Sequence, residues 1–142
     1  MTKPQLLFDA NAIFRLIREV PEDAVDKLSE GSTINLAYYE LGNALWRECF
    51  LLKRISKEEA EMSLRFIYDI LEKMQVSLLD SKKGRSVLEA ACRLNITYYD
   101  SSYLTEAKKI NKTLVTDDKK LAKAAENFGV KTLSSIDVIN NI

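Results

Sequence analysis

The 142-residue sequence contains no histidine. Without histidine, a Ser-His-Asp or Cys-His catalytic site cannot be built, and most zinc sites lose their commonest ligand. Only two cysteines are present, Cys49 and Cys92, and they form no CxxC pair. Both lie among apolar residues at helical spacing, so we expect buried, reduced thiols. Any catalytic chemistry must therefore use carboxylates, hydroxyls and lysines.

The sequence also lacks a net charge, because 21 Lys and Arg residues balance 21 Asp and Glu residues. Global charge therefore favours neither a nucleic acid nor a membrane as partner, and any such surface must be a local patch. No apolar run approaches the length of a membrane span, and the N-terminus has no signal-peptide layout. These features predict a cytoplasmic protein with no membrane partner. With two prolines, four glycines and no low-complexity tract, residues 1–142 are expected to form one domain.

Short apolar runs alternate with helical patterns along the chain. The runs predict strands at 6–8, 33–36, 76–79, 113–116 and 130–133, and each is followed by residues at helical spacing. Strands that alternate with helices indicate a parallel sheet with right-handed crossovers. We therefore predict an α/β protein, a three-layer α/β/α arrangement around a five-stranded parallel sheet.

Several residues predict where helices begin and end. Ser56 followed by Glu59, and Ser134 followed by Asp137, have the spacing of a capping box at a helix N-terminus. Asn95 suits a left-handed helix end.

Four acidic residues follow predicted strands or open predicted helices: Asp9, Glu40, Asp100 and Asp118. Each alone could cap a helix or favour its dipole. In a doubly wound sheet, however, such junctions lie along one edge, where carboxylates can converge. Two carboxylates 4–6 Å apart repel by roughly 3–4 kcal/mol at an effective dielectric near 20. Raised pKa values or a divalent cation would relieve that repulsion, and ligands that are all oxygen favour Mg²⁺ or Mn²⁺.

Four segments carry a resemblance to a known family: FDAN at 8–11, YELGNALW at 39–46, YYDSSY at 98–103 and LVTDDKKL at 114–121. In this order they resemble the motifs of the PIN-domain family, and most closely those of its VapC-type toxins. The resemblance implies an Mg²⁺- or Mn²⁺-dependent endoribonuclease on a PIN-like fold, leaving a 5′-phosphate and a 3′-hydroxyl. It also implies the catalytic and metal-binding acids, which would be Asp9, Glu40, Asp100 and Asp118.

Three neighbouring residues are predicted to support these acids. Asn11 stands where the family often has Thr or Ser, and Thr116 matches the family's hydroxyl before the last acid. Both could donate hydrogen bonds that orient a carboxylate. Asp117 stands where the family usually has a small or variable residue, so either Asp117 or Asp118 could be the fourth acid.

The resemblance implies three partners: an RNA substrate, a small antitoxin protein and a second copy of the chain in a homodimer. Apolar stripes around Trp46, Phe50 and Phe66 could receive a partner helix. A group of lysines near the last two acids could follow an RNA backbone or simply form a solvated helix face. These are Lys108, Lys109, Lys112, Lys119, Lys120 and Lys123.

Three other functions fit parts of the pattern. A haloacid-dehalogenase-like phosphatase also begins with a strand that ends in Asp, but Asn11 stands in place of its second Asp. A non-catalytic interaction module on the same fold would not need all four acids. A housekeeping RNA-processing nuclease of the PIN family would need them, and a neighbouring antitoxin-like gene would distinguish the toxin from it.

Overall fold

A computed structural model describes residues 5–141. The strands are short, and each lies between helices. They are β1 (Leu6–Phe8), β2 (Ser32–Ile34), β3 (Gln75–Ser77), β4 (Thr113–Val115) and β5 (Thr132–Leu133). The helices are α1 (Ala10–Glu19), α2 (Pro21–Ser29), α3 (Leu36–Trp46), α4 (Lys57–Lys73), α5 (Ser81–Leu94), α6 (Tyr98–Lys109), α7 (Lys119–Asn127) and α8 (Ser135–Asn140), and a π-helical turn at Arg47–Leu51 follows α3.

The five strands form one parallel sheet in the order β3-β2-β1-β4-β5. The chain winds outward from β1 through β2 to β3, and then returns to the other side of β1 to form β4 and β5. The winding direction therefore reverses between β1 and β4, where Leu7 pairs with Leu114. A crevice beyond the carboxyl ends of strands at such a reversal is where ligands bind in open α/β sheets. The predicted five-stranded parallel sheet is confirmed.

Helices cover both faces of the sheet, which confirms the three layers. Alternate residues of β1 point to opposite faces, so Phe8 joins one core cluster and Leu7 the other. The Phe8 cluster is built from α1 to α4 and α8, and the Leu7 cluster from α6 and α7. Because both faces are buried, the middle strand β1 consists entirely of apolar residues.

The predicted helix ends are also confirmed. Both capping boxes are present, at Ser56 with Glu59 and at Ser134 with Asp137. Asn95 ends α5 with a φ of 56°, a left-handed conformation that Asn tolerates better than most residues.

The prediction of buried thiols is wrong. Both cysteines are free, but Cys92 is exposed and Cys49 is only partly buried. Helix α5 turns Val87, Ala90 and Ala91 inward, which places Leu88 and Cys92 on the outer side. The spacing of apolar residues predicts how wide the apolar stripe of a helix is. Which part of the stripe is buried depends on where the neighbouring helices pack.

Two predicted strands were placed too far along the chain. Strand β2 ends at Ile34, so Leu36 already begins α3. Strand β3 ends at Ser77 and leaves Leu78 and Leu79 exposed. Within residues 5–141, none of the helices combines the length and hydropathy needed to cross a bilayer.

Candidate active site

The predicted acids gather where the sheet reverses its winding. Asp9 directly follows β1, and Asp118 lies just beyond β4 as the N-cap of α7. Asp100 is in the first turn of α6. Glu40 is in the second turn of α3, one turn later than the sequence predicted. Four different elements therefore contribute one acid each.

Asp9 is the most deeply buried of these acids, at 7% exposed. Its Oδ1 accepts a hydrogen bond from the Ala12 backbone N–H at 2.9 Å, so Asp9 also caps α1. Burial raises the pKa of Asp9 from 3.8 to about 6, and the charges of Asp117 and Asp100 add to that rise. Hydrogen bonds from the Thr116 hydroxyl and the Ala12 N–H act in the opposite direction. These hydrogen bonds orient the Asp9 carboxylate, but they offset little of its negative charge.

Glu40 is held by a tyrosine that sequence reasoning did not assign to the site. The Tyr103 hydroxyl donates a 2.6 Å hydrogen bond to Glu40 Oε1. Burial raises the pKa of Glu40, the Tyr103 hydrogen bond lowers it, and the charge of Asp100 raises it again. The pKa of Tyr103 is itself raised, by burial first and by the Glu40 charge second. The phenol therefore keeps its proton and acts as a hydrogen-bond donor.

Asp100 is half-buried and does not cap its helix. Thr97 is the N-cap of α6, and its hydroxyl oxygen accepts from the Asp100 N–H at 3.0 Å. Burial raises the pKa of the Asp100 carboxyl, and the charge of Asp118 raises it further. Thr97 and the Lys120 ammonium lower it. The pKa values of Asp9, Glu40 and Asp100 are thus all raised, in part by the charges of neighbouring acids.

The two consecutive aspartates have different contacts. Asp118 Oδ1 accepts from the backbone N–H groups of Lys120 and Leu121, at 2.9 and 3.1 Å. Asp117 turns to α8, where Ser135 donates to it twice, from its N–H at 2.8 Å and its hydroxyl at 2.6 Å. Arg15 Nη1 also lies 3.6 Å from Asp117 Oδ2. Asp117 therefore makes three contacts, with two residues, Ser135 and Arg15.

The predicted supporting residues occupy two environments. Thr116 is buried close to Asp9, whose pKa it lowers. Its hydroxyl oxygen accepts a hydrogen bond from the Asp118 backbone N–H at 3.1 Å. Asn11 is exposed and lines an open cleft of about 810 Å³ together with Glu40 and Asp117. The sides of this cleft carry basic side chains from Arg15, Arg18 and Arg47.

The chemistry of the donor set suits a hard divalent cation, because every side chain that could ligate it presents oxygen. Burial raises the pKa values of Asp9, Glu40 and Asp100, and the charges of neighbouring acids raise them further. As the side chains stand, however, residues 5–141 contain no group of three acids arranged to hold a metal ion. The ligand types fit such an ion, and the side chains of the described residues are not arranged around one.

A model of the PIN domain matches residues 6–127 of the sequence. The chain belongs to the PIN-domain family. Two curated relatives from Pyrobaculum aerophilum are similar to this PIN-domain protein over most of their length. One, named ribonuclease VapC3, is 32% identical over 127 residues, which are 84% of this chain and 93% of the relative. The other, named exonuclease VapC9, is 29% identical over 130 residues, or 91% and 92% of the two chains.

A solved structure agrees with this assignment. The crystal structure of PAE2754 from Pyrobaculum aerophilum superposes on this PIN-domain protein with a TM-score of 0.78 at 25% identity. The match covers 97% of this chain and 96% of the other. The resemblance to VapC-type members of the family is thereby confirmed, together with the PIN-like fold.

The lysines near the last two acids do not form one patch on this PIN-domain protein. Lys112 lies at the opposite edge of the sheet, where it donates to Ser32 and Gln75 at the amino ends of β2 and β3. Lys108 lies over the Phe128 ring at 4.2 Å. Lys120 is close enough to lower the pKa of Asp100. Of these three lysines, Lys120 is therefore the one placed beside the acids.

Proposed function

We propose that this PIN-domain protein is an Mg²⁺- or Mn²⁺-dependent endoribonuclease and the toxin of a toxin–antitoxin pair, acting as a single domain. The observation that carries the proposal is the convergence of Asp9, Glu40 and Asp100 from three elements at the reversal of the sheet. Burial is the main cause of their raised pKa values and the charges of neighbouring acids add to it, so a divalent cation would stabilise the ionised carboxylates. The names of the two VapC relatives, a ribonuclease and an exonuclease, support a nuclease.

Each acid has a proposed role at this site. Asp9, Glu40, Asp100 and Asp118 would hold the metal and position the attacking water. We favour Asp118 as the fourth acid because Asp117 is already bonded to Ser135. When bound, Mg²⁺ or Mn²⁺ supplies Lewis-acid chemistry at a phosphodiester and lowers the pKa of a bound water.

The remaining residues would orient these acids and the RNA. Thr116 would keep the Asp9 carboxylate in position, and Asn11 would act from the open cleft. Lys120 would bind a phosphate of the RNA backbone near Asp100 through the positive charge of its ammonium group. The proposed products are a 5′-phosphate and a 3′-hydroxyl.

A circular RNA tests the endonuclease proposal, because it has no end for an exonuclease to attack. We expect the chain to linearise the circle with Mg²⁺ or Mn²⁺, and to leave it intact in EDTA. A circular single-stranded DNA of the same sequence is the control for RNA preference. Cleavage that continues unchanged in EDTA would contradict the metal dependence, and degradation of linear RNA alone would indicate an exonuclease.

An exposed apolar surface supports the proposal of an antitoxin partner. Trp46 and Phe50 stack with ring centroids 5.6 Å apart, yet 49% and 65% of their surfaces remain exposed. Leu52 of the same region and Phe66 of α4 are exposed as well. An amphipathic partner helix would bury these side chains. An Arg of that partner could then pair with the nearby acids, since its planar fork matches a carboxylate.

Expression in the host tests the toxin proposal. We expect the chain alone to arrest growth, and co-expression with its neighbouring small gene to restore growth and allow copurification. Trp46→Ala with Phe50→Ala should reduce copurification without reducing cleavage of circular RNA. If the lone chain is harmless and copurifies with nothing, the toxin proposal fails while the nuclease proposal can still stand.

We also propose that the chain forms a homodimer. Leu78, Leu79 and Leu88 are exposed along a cleft of about 1390 Å³ between the ends of β2 and β3 and helices α5 and α6. A second copy could bury these leucines. Light scattering after gel filtration should give a dimer mass for the wild type and a monomer mass for Leu88→Glu. A wild-type monomer would contradict this proposal.

A further inference from the structure

We propose that Tyr103 is a positioning residue whose hydroxyl holds the Glu40 carboxylate against α6, the helix that also carries Asp100. This inference rests on the proposed function, because it concerns the same acids.

The hydroxyl of Tyr103 joins two helices of the site. It donates a 2.6 Å hydrogen bond to Glu40 Oε1. Tyr103 belongs to α6 and Glu40 to α3, so this bond connects the helix that carries Asp100 to the helix that carries Glu40.

The phenol ring cannot easily move away from this position. Tyr103 is 2% exposed and packs in the apolar cluster with Leu7, Leu104 and Leu114. Such interiors are close-packed, so the ring and with it the hydroxyl are fixed by their neighbours. Glu40, by contrast, is a long side chain on the surface of α3 with several rotamers. The fixed Tyr103 hydroxyl thus restricts the rotamers of the flexible Glu40 side chain.

Tyr103 brings two acids of the site together. Tyr103 follows Asp100 by three residues, so both lie on one side of α6. Glu40 is the hydrogen-bond acceptor itself. A purely structural tyrosine would satisfy its hydroxyl with any carbonyl, as Tyr68 does with the Tyr38 carbonyl at 3.0 Å. Tyr103 instead binds a carboxylate of the site.

Tyr103→Phe tests the inference, because it removes the hydroxyl and keeps the ring. Tyr68→Phe is the matched control, since it also removes one hydroxyl hydrogen bond but lies between α3 and α4. We expect Mn²⁺ affinity, measured by calorimetry on the metal-free chain, to fall 10- to 100-fold in Tyr103→Phe and to stay unchanged in Tyr68→Phe. On circular RNA, kcat should fall in Tyr103→Phe with little change in KM.

A double-mutant cycle shows whether Tyr103 acts through Glu40. If it does, adding Tyr103→Phe to Glu40→Gln should cause little further loss of Mn²⁺ affinity. Additive losses would overturn the inference. So would a Tyr103→Phe variant that binds Mn²⁺ like the wild type and is only less stable. A wild-type chain that binds no Mn²⁺ and cleaves no RNA would contradict the proposed function instead.

A measurement on the unmodified chain keeps the inference testable if Tyr103→Phe does not fold. The buried Tyr103 hydroxyl proton, bonded to a carboxylate, should exchange slowly and give a resolved NMR resonance. We expect this resonance to shift as diamagnetic Mg²⁺ is added. A resonance that stays in place while Mg²⁺ saturates the site would overturn the inference.

Discussion

At the scale of single residues, Asp9 caps α1 and is also proposed to bind a metal, and these two roles differ in their need for charge. As the cap of α1 it needs only an oxygen that accepts from Ala12, and Asn supplies one equally well. As a metal ligand it needs the negative charge. The charge is expensive in the metal-free chain, because burial disfavours the ionised carboxylate.

Asp9→Asn should therefore separate the two functions. We expect cleavage of circular RNA to be abolished, while the free energy of unfolding in EDTA at pH 7 rises by up to about 3 kcal/mol, the equivalent of the pKa shift. Urea unfolding measures the second effect, and Asp26→Asn on the exposed side of α2 is the control. A large loss of stability would show that Asp9 is mainly structural.

The raised pKa of Asp9 also predicts that the free energy of unfolding depends on pH. Between pH 4 and 6 the unfolded chain releases the Asp9 proton and the folded chain retains it, because the folded pKa is about 6 and the unfolded value is 3.8. The folded state then binds more protons, so this group makes the free energy of unfolding fall as pH rises through that window. The difference between wild type and Asp9→Asn in metal-free buffer isolates the effect. A difference that is constant from pH 4 to 7 would contradict the raised pKa.

At the scale of elements, the two consecutive aspartates each hold the start of a helix. Asp118 caps α7, and Asp117 accepts twice from Ser135, the first residue of α8. Asp117→Ala and Asp118→Ala should both lower the free energy of unfolding, each by about 1–2 kcal/mol, the usual cost of a lost cap. Only Asp118→Ala should also abolish cleavage. Loss of cleavage in Asp117→Ala alone would make Asp117 the fourth acid.

The sequence correctly predicted those features that depend on contacts between residues close together in the chain. The capping boxes, Asn95 and the strand that ends at Asp9 depend on contacts within a few residues, so the sequence pattern contains them. The exposure of Cys92 was not predictable, because it depends on which helices pack beside α5. Tyr103 and Glu40 are 63 residues apart, and nothing in either segment indicates that they meet.

Glu40 lies one turn later in α3 than predicted, and the reason is similar. A pattern of apolar residues shows that a helix is present, but the first residue depends on where the preceding strand stops pairing. Strand β2 stops at Ile34, which moved the start of α3 back and Glu40 into its second turn. Asp9, Asp100 and Asp118 lie at junctions with clear capping residues, and their positions were predicted to within a turn.

At the scale of the whole molecule, the proposed metal site would link metal binding to stability. An ion that binds only the folded chain adds RT ln(1 + [L]/Kd), about 2.7 kcal/mol at 100 times the Kd. We expect Mn²⁺ to raise the melting temperature at pH 7 and to raise it much less at pH 5, where Asp9 is protonated. Scanning fluorimetry measures both, with Ca²⁺ as the comparison ion. An equal rise at both pH values would place the ion away from Asp9.

The order of the strands also determines when during synthesis the acids can meet. Central strand β1 pairs with β4, and Leu6 lies opposite Thr113, more than one hundred residues later in the chain. When synthesis has reached β3, the chain already holds Asp9 and Glu40, but Asp100 and Asp118 are still to be translated. Half of the cluster is therefore missing until the ribosome has passed both α5 and β4. An antitoxin such as the one proposed, if translated first, would meet the chain before its cluster of acids is complete.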